Sequence, residues 1–231
     1  MRDKLEKSLK PIYKELLSKI ESEKKIYTFC AQWGKKFTDR NNDRILFVGK
    51  ATNGWITEST DIEVLFGKDN KRIFDRDDQM QWVNNLKGDE KYNTNNSAFW
   101  RIIIKTAEKT LDTKDVIPRI AWSNLYKVSY HKGNPDSKLK TQQKKYCKQI
   151  LEKEIELFSP KFVVFLTSSW EKVFLKHLNN GTDPIPIKTI KWSDKYYSKS
   201  YKIGNITYVT SQHPQGKNEE EHSKALTELM I

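Results

Sequence analysis

Four short stretches carry the side chains best suited to chemistry. They are Gly49-Lys50-Ala51-Thr52-Asn53-Gly54-Trp55, Ser123-Asn124-Leu125-Tyr126-Lys127, Thr167-Ser168-Ser169 and Thr210-Ser211-Gln212-His213-Pro214-Gln215-Gly216. Small and polar residues gather where apolar runs end, the distribution of a ligand or substrate site built on a rigid sheet. Several chemistries are excluded by spacing. The Gly49–Gly54 loop is not a phosphate-binding P-loop and fails the G-x-G-x-x-G fingerprint. Ser168-Ser169 lacks the G-x-S-x-G surround of a nucleophile elbow and reads as a helix cap. Phe74-Asp75-Arg76-Asp77-Asp78 lacks a glycine-pinned calcium loop and reads as a solvated acidic turn. Taken singly, the glycine loop is a tight turn, Asn124 a satisfied buried amide and His213 the start of a turn. Their recurrence at four strand ends is what points to a site. His131, His177 and His222 stand apart in sequence and read as surface or core histidines. Cys30 and Cys147 read as packing residues.

The elements that must position these residues follow from periodicity. Ile12, Leu16, Leu17, Ile20 and Tyr27 predict an amphipathic helix over 12–27, after Pro11. Residues 44–49 form a short apolar run ending in glycine, the pattern of a buried parallel strand. A long polar stretch, 50–96, holds Trp55, Phe66, Phe74 and Trp82; loops of that length are often functional. A helix is predicted over 97–111, a strand over 120–128 and a lysine-rich surface helix over 137–157, closed by Ser159-Pro160. A strand over 162–166 and a helix to Leu178 follow, then a turn-rich segment, 179–186. Gly204-Asn205 predicts a hairpin joining 197–203 to 206–211, and a last helix covers 219–230. The alternation predicts an α/β fold: a three-layer α/β/α arrangement on a mainly parallel, four-stranded central sheet. A single domain over 1–231 is expected, with 1–43 as a helical N-terminal extension and a C-terminal hairpin strand. In such sheets ligands bind at the carboxyl ends of the strands.

Composition narrows the class. The 231 residues hold 42 Lys+Arg against 30 Asp+Glu, a net charge of +12, which points to an anionic partner, nucleic acid first. With 7 Trp, 10 Tyr and 10 Phe the chain can build a core. No apolar run is long enough to span a membrane. The charged start, MRDKLEKSLK, has no apolar signal core, so secretion is not expected. Two cysteines exclude a cysteine-ligated iron–sulfur cluster or a tetrathiolate zinc site and suit a reducing cytoplasm. No metal, cofactor or membrane partner is expected, and the protein is expected to be a monomer. Lys127, Lys132, Lys138, Lys140, Lys144, Lys145 and Lys148 follow the Asn124 strand. Lys191, Lys195, Lys199, Lys202 and Lys217, interleaved with Trp192, Tyr196, Tyr197 and Tyr201, lie near the last motif. Basic and aromatic groups together suit a nucleic-acid backbone with splayed bases.

The order and spacing of the four motifs resemble the uracil-DNA glycosylase superfamily, over roughly 44–216. Residues 45–54 sit where that family has its first motif, G-E-A-P-G or G-I-N-P-G. Asn96-Ser97-Ala98-Phe99-Trp100 is similar to the N-x-F-W helix start of the mismatch-specific branch. Ser123-Asn124-Leu125-Tyr126-Lys127 resembles T-N-V-V-K of the iron–sulfur branch, and His213-Pro214-Gln215 resembles the closing H-P-S. The resemblance implies a DNA-base glycosylase that flips a uracil or other damaged or mismatched base and hydrolyses its N-glycosidic bond. Asn124 would hydrogen-bond the base edge, and His213 would stabilise charge on the departing base. Gly49, Lys50, Ala51 and Thr52 would line the pocket. Trp55 or Phe99 would stack on the base, and Lys127, Gln215 and Lys217 would follow the DNA backbone. The family's water-activating residue aligns with Lys50 and Ala51. Asn53 takes that role if the loop has gained one residue; Glu58 or Asp61 is another route. The alternative is a catalytically silent nucleic-acid- or nucleotide-binding protein on the same fold.

Overall fold

A computed structural model of the chain describes residues 1–39, 43–52, 62–66, 78–84 and 93–231. In chain order the described elements are α1 (Arg2–Ser18), β1 (Ile26–Thr28), β2 (Gln32–Trp33), β3 (Ile45–Ala51), α2 (Ile62–Phe66), α3 (Gln81–Asn84), α4 (Ala98–Leu111), β4 (Ile120–Tyr126), β5 (Val128–Tyr130), α5 (Ser137–Phe158), β6 (Phe162–Leu166), α6 (Lys172–Leu178), β7 (Lys188–Lys191), β8 (Tyr197–Ile203), β9 (Ile206–Ser211) and α7 (Glu219–Glu228). The chain divides into two compact units. The first comprises Met1–Ala31, Gly49–Asp77 and Ser123–Ser159; the second comprises Gln32–Val48, Asp78–Trp122 and Pro160–Ile231.

The first unit is built on α1 and α5, which pack together. Helix α1 starts ten residues earlier than periodicity from Ile12 predicts and ends before Tyr27, which lies in β1. Leu5, Leu9, Tyr13 and Leu16 extend the same apolar stripe across Pro11. Pro11 lies inside the helix on its exposed side, away from the buried stripe. Helix α5 begins on Asp136, whose carboxylate accepts the Leu139 N–H at 2.9 Å. Its buried stripe, Leu139, Tyr146, Ile150, Leu151, Ile155 and Phe158, also contains Gln143 and Glu154. The strand predicted over 120–128 breaks at Lys127. Oε1 of Gln143 accepts the N–H groups of both Lys127 and Val128, at 3.0 and 2.9 Å, and its Nε2 donates to Val128 O at 2.8 Å. One side chain thus replaces the ladder at the break. Beyond it, β5 pairs antiparallel with β1. The segment 1–43 is therefore more than a helical extension, since it supplies two strands as well.

The second unit carries most of a mixed sheet. Among the described residues the sheet has seven strands, in the order β2-β4-β3-β6-β9-β8-β7. Strands β3 and β6, and β6 and β9, pair in parallel; β2–β4, β9–β8 and β8–β7 are antiparallel. The mixed α/β class agrees with the alternation read from sequence, but the sheet is wider and less parallel than the four strands expected. The missed strands have physical reasons. Strand β2 is two residues long, and β7 is Lys188-Thr189-Ile190-Lys191 at an exposed edge, so neither forms an apolar run. Gly34, just after β2, is required by proximity. A Cβ there would lie 2.2–2.4 Å from the Pro118 backbone, while the Gly34 N–H donates to Ile120 O at 3.0 Å. Helices α4 and α7 pack together, with Arg101 Nε and Nη2 on Glu219 Oε1 at 2.8 and 2.5 Å and Lys109 on Glu220 at 2.6 Å.

Candidate functional site

In the second unit, β6 and β9 exit side by side. The N–H groups of Thr167 and Ser168 donate to Ser211 O at 3.2 and 3.1 Å. The Ser168 hydroxyl oxygen accepts the His213 N–H at 2.8 Å. Ser168 and Ser169 take positive φ of 52° and 75°, so this pair forms the turn and α6 starts later, at Lys172. Glu171 is buried behind the turn, and burial raises its carboxyl above the ordinary range although the Thr167 hydroxyl donates to it. His213 then enters the turn Pro214–Lys217, closed by Lys217 N–H to Pro214 O at 3.1 Å. Gly216 occupies the third position at φ 71°, which favours glycine.

The ring of His213 is oriented from both sides. The Gln215 N–H donates to Nδ1 across 3.4 Å, which leaves Nε2 to carry the proton in the neutral ring. The Phe99 ring lies nearly parallel to it, at 6.3 Å and 19°. Phe99 stands at the start of α4, within a cluster formed by Trp100, Trp122 and Trp82. The Arg101–Glu219 pair two residues on ties α4 to the helix that follows the His213 loop. Arg101 holds the Glu219 carboxyl below its usual range.

Behind the loop lies a chain of neutral polar groups. Trp192 Nε1 donates to Ser198 Oγ at 2.9 Å, Ser198 and Ser211 share a bond of 2.6 Å, and Ser211 Oγ meets His222 Nε2 at 2.7 Å. His222 is fully buried, and its Nδ1 has no partner among the described residues. Burial first, then the nearby Lys217 and His213, push its pKa down to about 4, so it is neutral at pH 7. The Trp192 ring stacks on His222 at 4.3 Å and Tyr196 leans on Trp192 at 5.2 Å. Lys217 caps the stack, 5.0 Å from the Tyr196 ring, and also donates to Gln215 O at 3.1 Å. Gln215 is exposed.

The first unit holds the other expected residues. Gly49, Lys50 and Ala51 end β3; Gly49 is buried, and Lys50 and Ala51 are half-exposed. Thr52 is buried, and its hydroxyl and carbonyl both bond the Ser129 hydroxyl, at 2.9 and 2.6 Å. Its polar atoms are therefore engaged in holding the loop start to β5. Asn124 is 2% exposed, and its Nδ2 has no partner among the described residues. Half of the amide is thus left unsatisfied among the described residues, against the reading of a satisfied buried amide. A buried donor left unbonded costs about 1–3 kcal/mol unless something supplies an acceptor. Asn53 and Trp55, with Glu58, Asp61, Asp75 and Asp77, lie outside the described residues. Asp78, in the second unit, is described and is not solvated: it is buried, its Oδ1 accepts the Met80 N–H at 3.0 Å, and burial raises its pKa.

Lys127 corrects an expectation. It was placed along a DNA backbone, yet its side chain is 0% exposed. Its ammonium donates to both Glu154 oxygens at 2.8 Å and to Ser123 Oγ at 2.6 Å, and Ser123 in turn donates to Glu154 at 2.6 Å. All three ammonium protons are used inside the unit, so no phosphate can reach them. The signal was in the sequence: Ser123, Leu125 and Lys127 share one face of an apolar strand, and Glu154 falls in the apolar stripe of α5. Cys30 and Cys147 are buried thiols, both raised by desolvation, Cys147 to about 12.

Among the described residues, no group of three His, Cys, Asp or Glu side chains is placed to hold a metal ion, and no helix is long and apolar enough to cross a membrane. No family model matches the chain, and no curated protein matches it.

Proposed function

We propose that the protein is a DNA-base glycosylase, hydrolysing the N-glycosidic bond of a flipped uracil or other damaged or mismatched base. The observation that carries this reading is the orientation of His213. Its Nδ1 accepts the Gln215 N–H at 3.4 Å and its ring stands beside that of Phe99, which leaves the proton of the neutral ring on Nε2. Cleavage leaves negative charge on the base, and a fixed donor at a base oxygen stabilises that charge in the transition state. Water supplies hydroxide to C1′ and a proton to the departing base, so no cofactor is consumed. Asn124 supports the reading separately, because a buried amide whose Nδ2 has no partner among the described residues suits the edge of an extruded base. The net charge of +12 suits a DNA partner. On this reading the protein acts as a monomer in the cytoplasm.

A second reading is a silent nucleic-acid- or nucleotide-binding protein on the same fold. It is favoured by Lys50, a half-exposed cation where the family places its water-activating residue. Duplex and single-stranded oligonucleotides carrying uracil, hypoxanthine, xanthine or a mismatch, incubated and then treated with alkali, separate the two. Strand cleavage at one of these bases, lowered by His213→Ala, supports the glycosylase. Salt-sensitive binding without cleavage of any substrate supports the silent binder.

A further inference from the structure

Strands β7 and β8 present a sheet face that carries exposed side chains, with Tyr201 half-buried at its inner end. Their register places Lys191 opposite Tyr197 and Thr189 opposite Lys199. The Ile187 N–H bonds Ser200 O at 2.8 Å, which brings Ile187 level with Tyr201 on the same face. Successive side chains alternate, so these six share one side of the sheet. The other side is occupied: Ser198 and Ser200 are buried, and Lys188 reaches Glu228 O on the last helix at 2.9 Å. On the open side Ile187 is 65% and Tyr197 46% exposed. Lysines on an edge strand discourage sheet-to-sheet pairing, which accounts for Lys191 but not for a solvated tyrosine ring beside it.

Charge selects the occupant. Between residues 184 and 208 stand Lys188, Lys191, Lys195, Lys199 and Lys202 against the single acid Asp194. Lys191, Lys195 and Lys199 make no ion pair among the described residues. Tyrosine faces set between unpaired lysines fit a chain of anionic phosphates carrying flat, unstacked bases. Paired bases of a duplex are turned inward and offer no free faces to these rings.

We propose that the β7–β8 face is a docking platform for single-stranded nucleic acid, with Tyr197 and Tyr201 stacking on bases and Lys191 and Lys199 on the backbone. The platform does not rest on the base-cleaving reading. The test is fluorescence anisotropy of unmodified oligodeoxythymidylate of about 10 nucleotides, the order of one single-strand site, titrated with the full chain at several salt concentrations. Tyr197→Ala is expected to weaken binding about tenfold and Tyr197→Phe to leave it near wild type. Lys191→Ala with Lys199→Ala is expected to reduce the slope of log K against log salt by about 1.4, for two phosphates at about 0.7 each. Lys224→Ala, on an exposed position of α7, is the control and is expected to bind as wild type. The platform is overturned if wild type does not bind, if Tyr197→Ala and the lysine pair bind as wild type, if Lys224→Ala weakens binding equally, or if a poly-glutamate peptide of equal charge competes as well as the oligonucleotide. Binding that responds to these variants, without cleavage of any modified base, leaves the platform standing and removes the glycosylase.

Discussion

The two units solve the same problem, polar groups buried near strand ends, in opposite ways. The first buries a full ion pair, Lys127–Glu154, closed by Ser123 so that every ammonium proton has an acceptor. The second buries a neutral run, Trp192–Ser198–Ser211–His222, that ends on an unpartnered Nδ1. A closed charged cluster fixes geometry and has nothing left for a ligand. An open neutral run can re-orient its hydroxyl protons, and it sits two residues from His213. The first arrangement is read as architectural and the second as support for the reacting loop.

The largest effect expected from this contrast is the loss of one ionic partner. Lys127→Met or Glu154→Gln should each cost about 3–5 kcal/mol in urea unfolding, because a charge is stranded in the interior. Lys127→Met combined with Glu154→Leu should recover most of that loss. Full stability in either single variant would show that the pair is not buried as described. The pH response of the second unit comes next. His222 has a depressed folded pKa, about 4 against an ordinary 6.5, so the unfolded chain binds the extra proton between those values. Stability is then whole above pH 6.5 and falls as pH drops towards 4, by about 3 kcal/mol at one pKa unit per about 1.4 kcal/mol. His222→Gln should remove that share of the acid slope; an unchanged slope would place the histidine elsewhere.

A smaller change is expected from Ser211→Ala, which deprives His222 Nε2 of its partner and should cost about 1–2 kcal/mol in the same unfolding measurement. The least is expected from Arg101→Ala. The Arg101–Glu219 pair is part-exposed, and exposed pairs contribute little to stability. Its readout is Phe99 beside His213, so an altered His213 ring shift by NMR with nearly unchanged stability is the expected result.

Much of the architecture was legible because it rests on period and turn chemistry. The strand at 162–166 and the 197–203/206–211 hairpin around Gly204-Asn205 fall where a short apolar run and the turn placed them. What escaped has a common cause: local pattern does not report tertiary pairing. Strand β7 is a strand because β8 lies beside it; with a lysine at each end and mostly exposed side chains, its sequence has no apolar run to mark it. Lys127 reads as surface because lysine usually is; only Glu154 in the apolar stripe of a helix 27 residues on shows where its charge goes. His222 was left open between surface and core, and its stacking on Trp192 settles it as core. For the candidate site, His213 and Phe99 do lie together in the second unit. Gln143, which closes the strand break through three bonds, carried the same clue as Glu154, a polar residue on an apolar helix stripe.

The most direct test of the central claim is release of free base from a uracil-, hypoxanthine- or xanthine-containing oligonucleotide, followed by chromatography for wild type, His213→Ala and Asn124→Ala at equal folded concentration. The account predicts that at least one of these bases is released by wild type. It also predicts that each variant lowers the rate by about 100-fold or more, the range for removal of a preorganised charge-stabilising group. No release of any base by wild type, or release undiminished in both variants, would contradict it.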